Sequence, residues 1–112
     1  MQHSGSRRSH KMGDQIMREV SEMLTQEISD PRLAMITVSG TRMNKDLSIA
    51  EVLYSAPAGS DLTAVQAGLE KAGPFMRGRL AKRLKSKFIP RLVFRHDEFL
   101  EDMVYGKGPI TD

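Results

Sequence analysis

The sequence predicts an α+β domain, a three-stranded sheet with three helices on one face in the order α-β-β-α-α-β. Three observations carry this expectation. Apolar residues recur at helical spacing in three stretches, and β-forming residues fill three others. A glycine-proline pair interrupts the middle of the long helical region. At 112 residues the chain is large enough for one core and too small for two.

The first helix is written in Met12, Ile16, Val20, Leu24 and Ile28, a spacing of four that places them on one stripe, with Met17 and Met23 beside them and Glu19, Glu22 and Gln26 across from them. Asp30-Pro31 ends it, because the residue before proline is pushed out of the α region. Residues 35–43 alternate Ile36 and Val38 with Thr37 and Ser39, and after the turn Asn44-Lys45-Asp46 a second strand runs from Leu47 to Ser55; the two make an antiparallel hairpin. Ser60 is placed to cap the next helix, with Asp61 in its first turn and Leu62, Val65, Leu69 and Ala72 inward. Gly73-Pro74 then suits one helix end and one helix start, so a third helix is predicted from Pro74 to about Lys85, with Met76, Leu80 and Leu84 inward. Leu92-Val93-Phe94 is the third strand. Residues 1–11 read as a flexible basic arm, 12–97 as the folded domain and 98–112 as a mobile tail. The core list from these stripes is Ile16, Val20, Leu24, Val38, Val52, Leu69, Leu80 and Phe94. This order and layering match the type II K-homology fold, a module that binds single-stranded RNA.

The chain has no cysteine, which removes disulfides, thiolate metal sites and cysteine nucleophiles and fits a reducing cytoplasm. No apolar run reaches the roughly 20 residues of a membrane span. Net charge is only +3, but its distribution is uneven. From Arg77 to Arg95 there are eight basic residues, Arg77, Arg79, Lys82, Arg83, Lys85, Lys87, Arg91 and Arg95, and no acid. Such a field attracts polyanions, phosphate first among them; the plainer reading is a solvated basic helix face.

On a helix, Arg79, Lys82, Arg83 and Lys85 sweep one arc opposite Leu80, and Gly78 falls inside it. A glycine there costs roughly 1 kcal/mol relative to alanine. It serves either a nucleic-acid backbone that comes close or tight packing on a neighbouring helix. The break at Ala72-Gly73-Pro74 would expose a helix N-terminus for a phosphate, with Arg77 one turn away; a plain helix corner is the alternative. The GxxG loop with which K-homology domains grip a backbone is absent. Candidate nucleic-acid contacts are therefore Arg77, Gly78, Arg79, Lys82, Arg83, Lys85, Lys87 and Arg91, joined by Arg8 and Lys11 from the arm. No catalytic residue, metal ligand or cofactor site is assigned. His96-Asp97 has no signature serine, Asp97, Glu98, Glu101 and Asp102 read as solvated acids, and Gly106-Lys107-Gly108 lacks P-loop spacing.

Several motifs in this order resemble the ribosome-binding factor A family: Arg8-x-x-Lys11-Met12, Glu27-Ile28-Ser29-Asp30-Pro31-Arg32-Leu33, Asp46-Leu47-Ser48-Ile49-Ala50-Glu51-Val52, Ala72 to Arg77, Leu80 to Leu84, and Pro90 to Phe94. The resemblance implies a type II K-homology-like fold in which an Ala-x-Gly helix kink replaces the GxxG loop. It also implies binding to the immature small (30S) ribosomal subunit, support for maturation of the 16S rRNA 5′ end, importance in the cold, and release helped by an assembly GTPase. A cytoplasmic monomer without enzymatic activity goes with that reading. The sequence departs from the family pattern at Ala72-Gly73-Pro74, where proline takes the glycine position, and in the tail after Asp97. Two rivals stay open, a K-homology-like module for other RNA such as messenger RNA, and a protein-interaction domain whose basic face meets an acidic partner.

Overall fold

A computed structural model describes residues 7–98. Its elements are α1 (Arg7–Gln26), a 3₁₀ turn (Pro31–Leu33), β1 (Thr37–Met43), β2 (Ile49–Ser55), α2 (Leu62–Arg83) and β3 (Arg91–His96). The sheet order is β1-β2-β3, with β1 and β2 antiparallel and β2 and β3 parallel, so α2 is the crossover that returns the chain to the sheet.

Ile16, Val20 and Leu24 of the expected stripe are buried, with Met12 half-buried beside them. However, α1 runs from Arg7 to Gln26 instead of starting at Met12, so Ile28 lies past its end and Arg8 and Lys11 stand on a helix and not on an arm. Packing explains the early start. Ser9 and Gly13 are buried, and a Cβ on Gly13 would lie 3.7 Å from Met43 Cγ and from the Thr41 carbonyl oxygen. Two small side chains let the first turns lie against β1. Residues 1–6 of the expected arm, and the expected tail from residue 99 onward, lie outside the described residues.

A bulge between Val38 and Gly40 decides which side chains of β1 enter the core. Val38 and Met43 are an odd number of residues apart and a regular strand would turn them to opposite faces, yet both are buried. The extra residue brings both inward, facing Ala50, Val52 and Tyr54 of β2 and Phe94 of β3. All eight residues of the predicted core are buried, together with Met23, Leu33, Met76 and Leu84. The sheet and the helices close one core, as expected of an α+β domain.

Among the described residues the α-helices number two, not the three expected. Gly73-Pro74 does not divide the region; α2 runs through it from Leu62 to Arg83. Proline in a helix interior removes the bond to the carbonyl four residues back, here that of Glu70, at a cost of about 3 kcal/mol. Two features offset this. The residue before proline is driven from the helical region in part by its own Cβ, which Gly73 lacks. The apolar stripe also continues past the proline, because Val65, Leu69, Met76 and Leu80 share one buried face. Burial of Met76 and Leu80 contributes about 1.5–3 kcal/mol each, which outweighs the lost hydrogen bond. The cap is corrected as well. Asp61, not Ser60, accepts from the Ala64 backbone N–H at 3.1 Å, while the Ser60 hydroxyl donates to the Pro57 carbonyl.

Asp30-Pro31-Arg32-Leu33 forms a knuckle against α2. Asp30 caps the 3₁₀ turn by accepting from the Arg32 backbone N–H, and its carboxylate also takes the Arg32 guanidinium at 2.7 Å. Arg32, first through its side chain and then through its backbone, holds Asp30 below the ordinary carboxylate range. Leu33 is buried beneath Gly68 of α2, where an added Cβ would come within 3.2 Å of Leu33 Cδ2.

Candidate nucleic-acid interface

The predicted arc of Arg79, Lys82, Arg83 and Lys85 does not act as one surface, and the basic run as a whole divides by its surroundings. One group joins the helices. Arg83 donates from Nη1 to Glu19 Oε1 at 3.1 Å and from Nη2 to Glu27 Oε2 at 2.9 Å. The hydrogen bond to Glu27, and behind it the one to Glu19, raises Arg83 above the ordinary arginine value. Arg79 Nε lies 3.4 Å from Glu27 Oε1, close enough for an ion pair but not aligned for a hydrogen bond, and its guanidinium sits 5.0 Å over the Phe75 ring. Sequence reasoning set Glu19 apart as the polar side of α1 and did not foresee that α2 would bring cations to it.

The second group lines a groove of about 820 Å³ between α2 and β3. Gly73, Pro74, Arg77, Gly78 and Ala81 form its α2 wall, and Arg91, Leu92, Val93 and Phe94 its β3 wall; Lys87, Phe88 and Ile89 stand at one end. Its charged residues are Arg77, Lys87 and Arg91 against Glu70. Arg77 also builds the groove, donating to the carbonyls of Ile89 at 3.0 Å and Pro90 at 3.3 Å and so fastening the segment that enters β3. Among the described residues no side chain lies within 4 Å of where a Gly78 Cβ would be, so it does not serve tight packing on α1. The helix backbone is bare at that point of the wall.

Phe88 is the feature that sequence reasoning passed over. It is 75% exposed, and the Lys87 ammonium lies 5.6 Å from its ring centroid. An aromatic ring between cations at a groove mouth is the arrangement on which unpaired bases stack. The signal was in the sequence, an apolar aromatic set inside the basic run. Neither helical periodicity nor strand alternation singles it out.

The remaining candidates lie apart from the groove lining. Lys82 stands in the last turn of α2 and Lys85 follows the helix, both exposed, and no hydrogen bond or ion pair engages either among the described residues. Arg8 and Lys11 are exposed on the first turns of α1. Because α2 is continuous, Ala72-Gly73-Pro74 offers no helix N-terminus, and the phosphate seat expected there is withdrawn. His96 and Asp97 have structural places. The imidazole lies 5.6 Å from the Tyr54 ring, and Asp97 accepts from the Ser39 hydroxyl at 2.8 Å.

The family model described as ribosome-binding factor A matches residues 8–106, which carries the match beyond Asp97 into the tail read as departing from the family. Ribosome-binding factor A of Nitrosospira multiformis is 41% identical over 95 residues, covering 84% of this chain and 75% of that protein. The Desulfosudis oleivorans protein of the same name is 39% identical over 102 residues, covering 90% and 77%. Among solved structures, the crystal structure of ribosome-binding factor A from Thermus thermophilus superposes with a TM-score of 0.72 at 28% identity, covering 79% of this chain and 93% of that one. A homology model of the Thermus thermophilus factor, as fitted into the cryo-EM map of a 30S complex, gives 0.61 at 30% identity, covering 74% of this chain and 88% of that one.

Proposed function

The chain belongs to the ribosome-binding factor A family, and from that membership we propose that it is a ribosome assembly factor without catalytic activity. It binds the immature small (30S) ribosomal subunit and supports maturation of the 16S rRNA 5′ end. The α2–β3 groove carries this reading, because it combines three cations, a bare helix backbone at Gly78 and an exposed ring at Phe88. Cations hold phosphates, the bare backbone admits a sugar-phosphate chain, and the ring stacks an unpaired base. A groove between a helix and an edge strand is also what a K-homology-like module uses for single-stranded RNA, and the relative fitted into a 30S complex supports the choice of partner.

Arg77, Gly78, Lys87 and Arg91 are the inner contacts in this reading, with Lys82, Lys85, Arg8 and Lys11 as outlying ones. Arg79 and Arg83 hold α1 to α2 and shape the surface without being its first contacts. The protein acts as a cytoplasmic monomer, matters most in the cold, and leaves the subunit with the help of an assembly GTPase.

Sucrose-gradient fractionation of cell extract tests the role. The protein is expected with free small subunits and not with translating ribosomes; sedimentation with messenger RNA particles, or with neither, would overturn it. The groove is tested with the double variant K87Q/R91Q. For single-stranded RNA the slope of log K against log salt should fall by about 0.7 per lost phosphate contact. Phe88→Ala should cost roughly 1–3 kcal/mol of binding without changing that slope.

A further inference from the structure

The sheet face turned away from the helices holds a second basic group. By register, Arg42 of β1 stands opposite Glu51 of β2, Glu51 opposite Val93 of β3, and Leu53 opposite Arg95. These side chains therefore share one face, since Ala50, Val52 and Tyr54 of the same strand fill the core on the other. Glu51 is only 1% exposed, yet it is a carboxylate. Arg42 Nε lies 3.0 Å from its Oε1, and Arg95 Nε donates to its Oε2. Oε1 has no hydrogen bond even so; the Arg42 contact is one of charge alone.

A buried carboxylate is costly unless paired, and one arginine would pair it. Here two arginines flank it, 46% and 60% exposed, and their charge exceeds that of the single acid. Arg95 donates through its Nε, and among the described residues the Nη nitrogens of neither arginine make a hydrogen bond. Glu51 thus draws a guanidinium from each neighbouring strand onto one carboxylate, with Nη donors left over. A planar guanidinium with spare donors suits phosphate oxygens. The face is also continuous with the groove. Arg91, which lines it, shares the side of β3 that bears Val93 and Arg95.

We infer that Arg42 and Arg95, held by Glu51, form a second phosphate-binding surface, so that one RNA strand passes from the α2–β3 groove around β3 and across the open sheet. The inference rests on the reading of the groove as an RNA site. Arg42 and Arg95 supply the phosphate ligands, and Glu51 is a positioning residue. Leu53 and Val93 give the strand an apolar floor between them.

The full chain is titrated with oligouridylate of two lengths, one short enough for the groove alone and one near the upper end of the roughly 4–16 nucleotides that single-strand sites cover. The wild type should show a steeper salt dependence with the long probe, by about 0.7 in log K per log salt for each added phosphate contact. The double variant R42Q/R95Q should lose that increment and keep its affinity for the short probe, while K87Q/R91Q weakens both. The triple variant R42Q/E51Q/R95Q repeats the comparison without stranding a buried carboxylate, and a melting curve shows whether each variant is folded. A long-probe slope unchanged in the folded triple variant, with K87Q/R91Q still impaired, overturns the sheet surface and leaves the groove standing. Loss of neither increment nor affinity in any variant removes the groove reading and this one with it.

Discussion

Arg83 Nη2 at the end of α2 lies 2.9 Å from Glu27 Oε2, just past the end of α1, and this contact turns a residue of the basic run into a clamp between helices. Glu19 takes the other terminal nitrogen from 64 residues away. The Arg83 charge is therefore largely met within the fold, whereas that of Lys82 beside it is not.

Replacing Arg83 by glutamine should lower the melting temperature, since it leaves Glu19 and Glu27 facing each other without their shared cation. Lys82→Gln should leave it near wild type, because an exposed charge contributes little. A double-mutant cycle between Arg83 and Glu27 should show a coupling that the pair Lys82 and Glu27 lacks. Equal melting temperatures for R83Q and K82Q would mean that the bridge does not hold the helices together.

Gly68 and Gly78 lie in one helix and should respond oppositely to alanine. At Gly68 the new Cβ meets Leu33 Cδ2 at 3.2 Å and both Arg32 Nε and Asp30 Oδ2 at 3.3 Å, so G68A should destabilise by about 1–3 kcal/mol as the knuckle is displaced. At Gly78 nothing among the described residues lies within 4 Å, so G78A should stabilise by about 0.5–1 kcal/mol through helix propensity. The same G78A variant should bind single-stranded RNA more weakly, because the bare backbone is what the groove offers there. Denaturant unfolding and RNA titration on the same preparations check both signs.

At Gly73-Pro74 the effect of one substitution should depend on the other. Pro74→Ala restores a donor toward the Glu70 carbonyl and should raise stability by about 1–3 kcal/mol. Gly73→Ala beside the proline should destabilise, since the new Cβ meets the pyrrolidine ring. In the P74A background the same change should instead stabilise by up to about 1 kcal/mol, because the added Cβ meets only Phe94 Cε2 at an ordinary 3.9 Å. A G73A effect of the same sign in both backgrounds would contradict the account of why α2 is continuous.

Stability should fall in acid with a recognisable share from two aspartates. Asp30 is held low by Arg32, and Asp46 by the Ser48 hydroxyl and then the Ser48 backbone N–H. A folded pKa below the unfolded value stabilises fully above that unfolded value, about 3.9, and the contribution is lost as pH falls through the lowered folded value. The variants D30N and D46N should therefore show a lower melting temperature than wild type at pH 6 and a smaller further drop between pH 4 and acid. Parallel melting curves for wild type and variants across that range would refute the linkage.

Local pattern determines much of this protein. The stripe Ile16, Val20, Leu24 makes α1 and alternation makes the strands, because each depends on neighbours within a turn or two, whereas the helix ends at Gln26, before Asp30-Pro31 is reached. The family motifs were legible for the same reason, and Asp30-Pro31-Arg32-Leu33 proves to be a cap, an ion pair and a core anchor in four residues. What sequence alone misjudged depends on surfaces that meet only after folding. Gly73-Pro74 looks like a break when the lost hydrogen bond is weighed locally, and becomes helix interior when Met76 and Leu80 are buried beyond it. Arg79 and Arg83 look like free cations until α1 brings Glu19 and Glu27 to them. The bulge that turns both Val38 and Met43 inward, the parallel return of β3 and the burial of Glu51 between two arginines follow from strand pairing. Apolar periodicity encodes which side of an element is buried, but not which other side it is buried against, and for charged residues the partner decides whether a cation fastens the fold or faces a ligand.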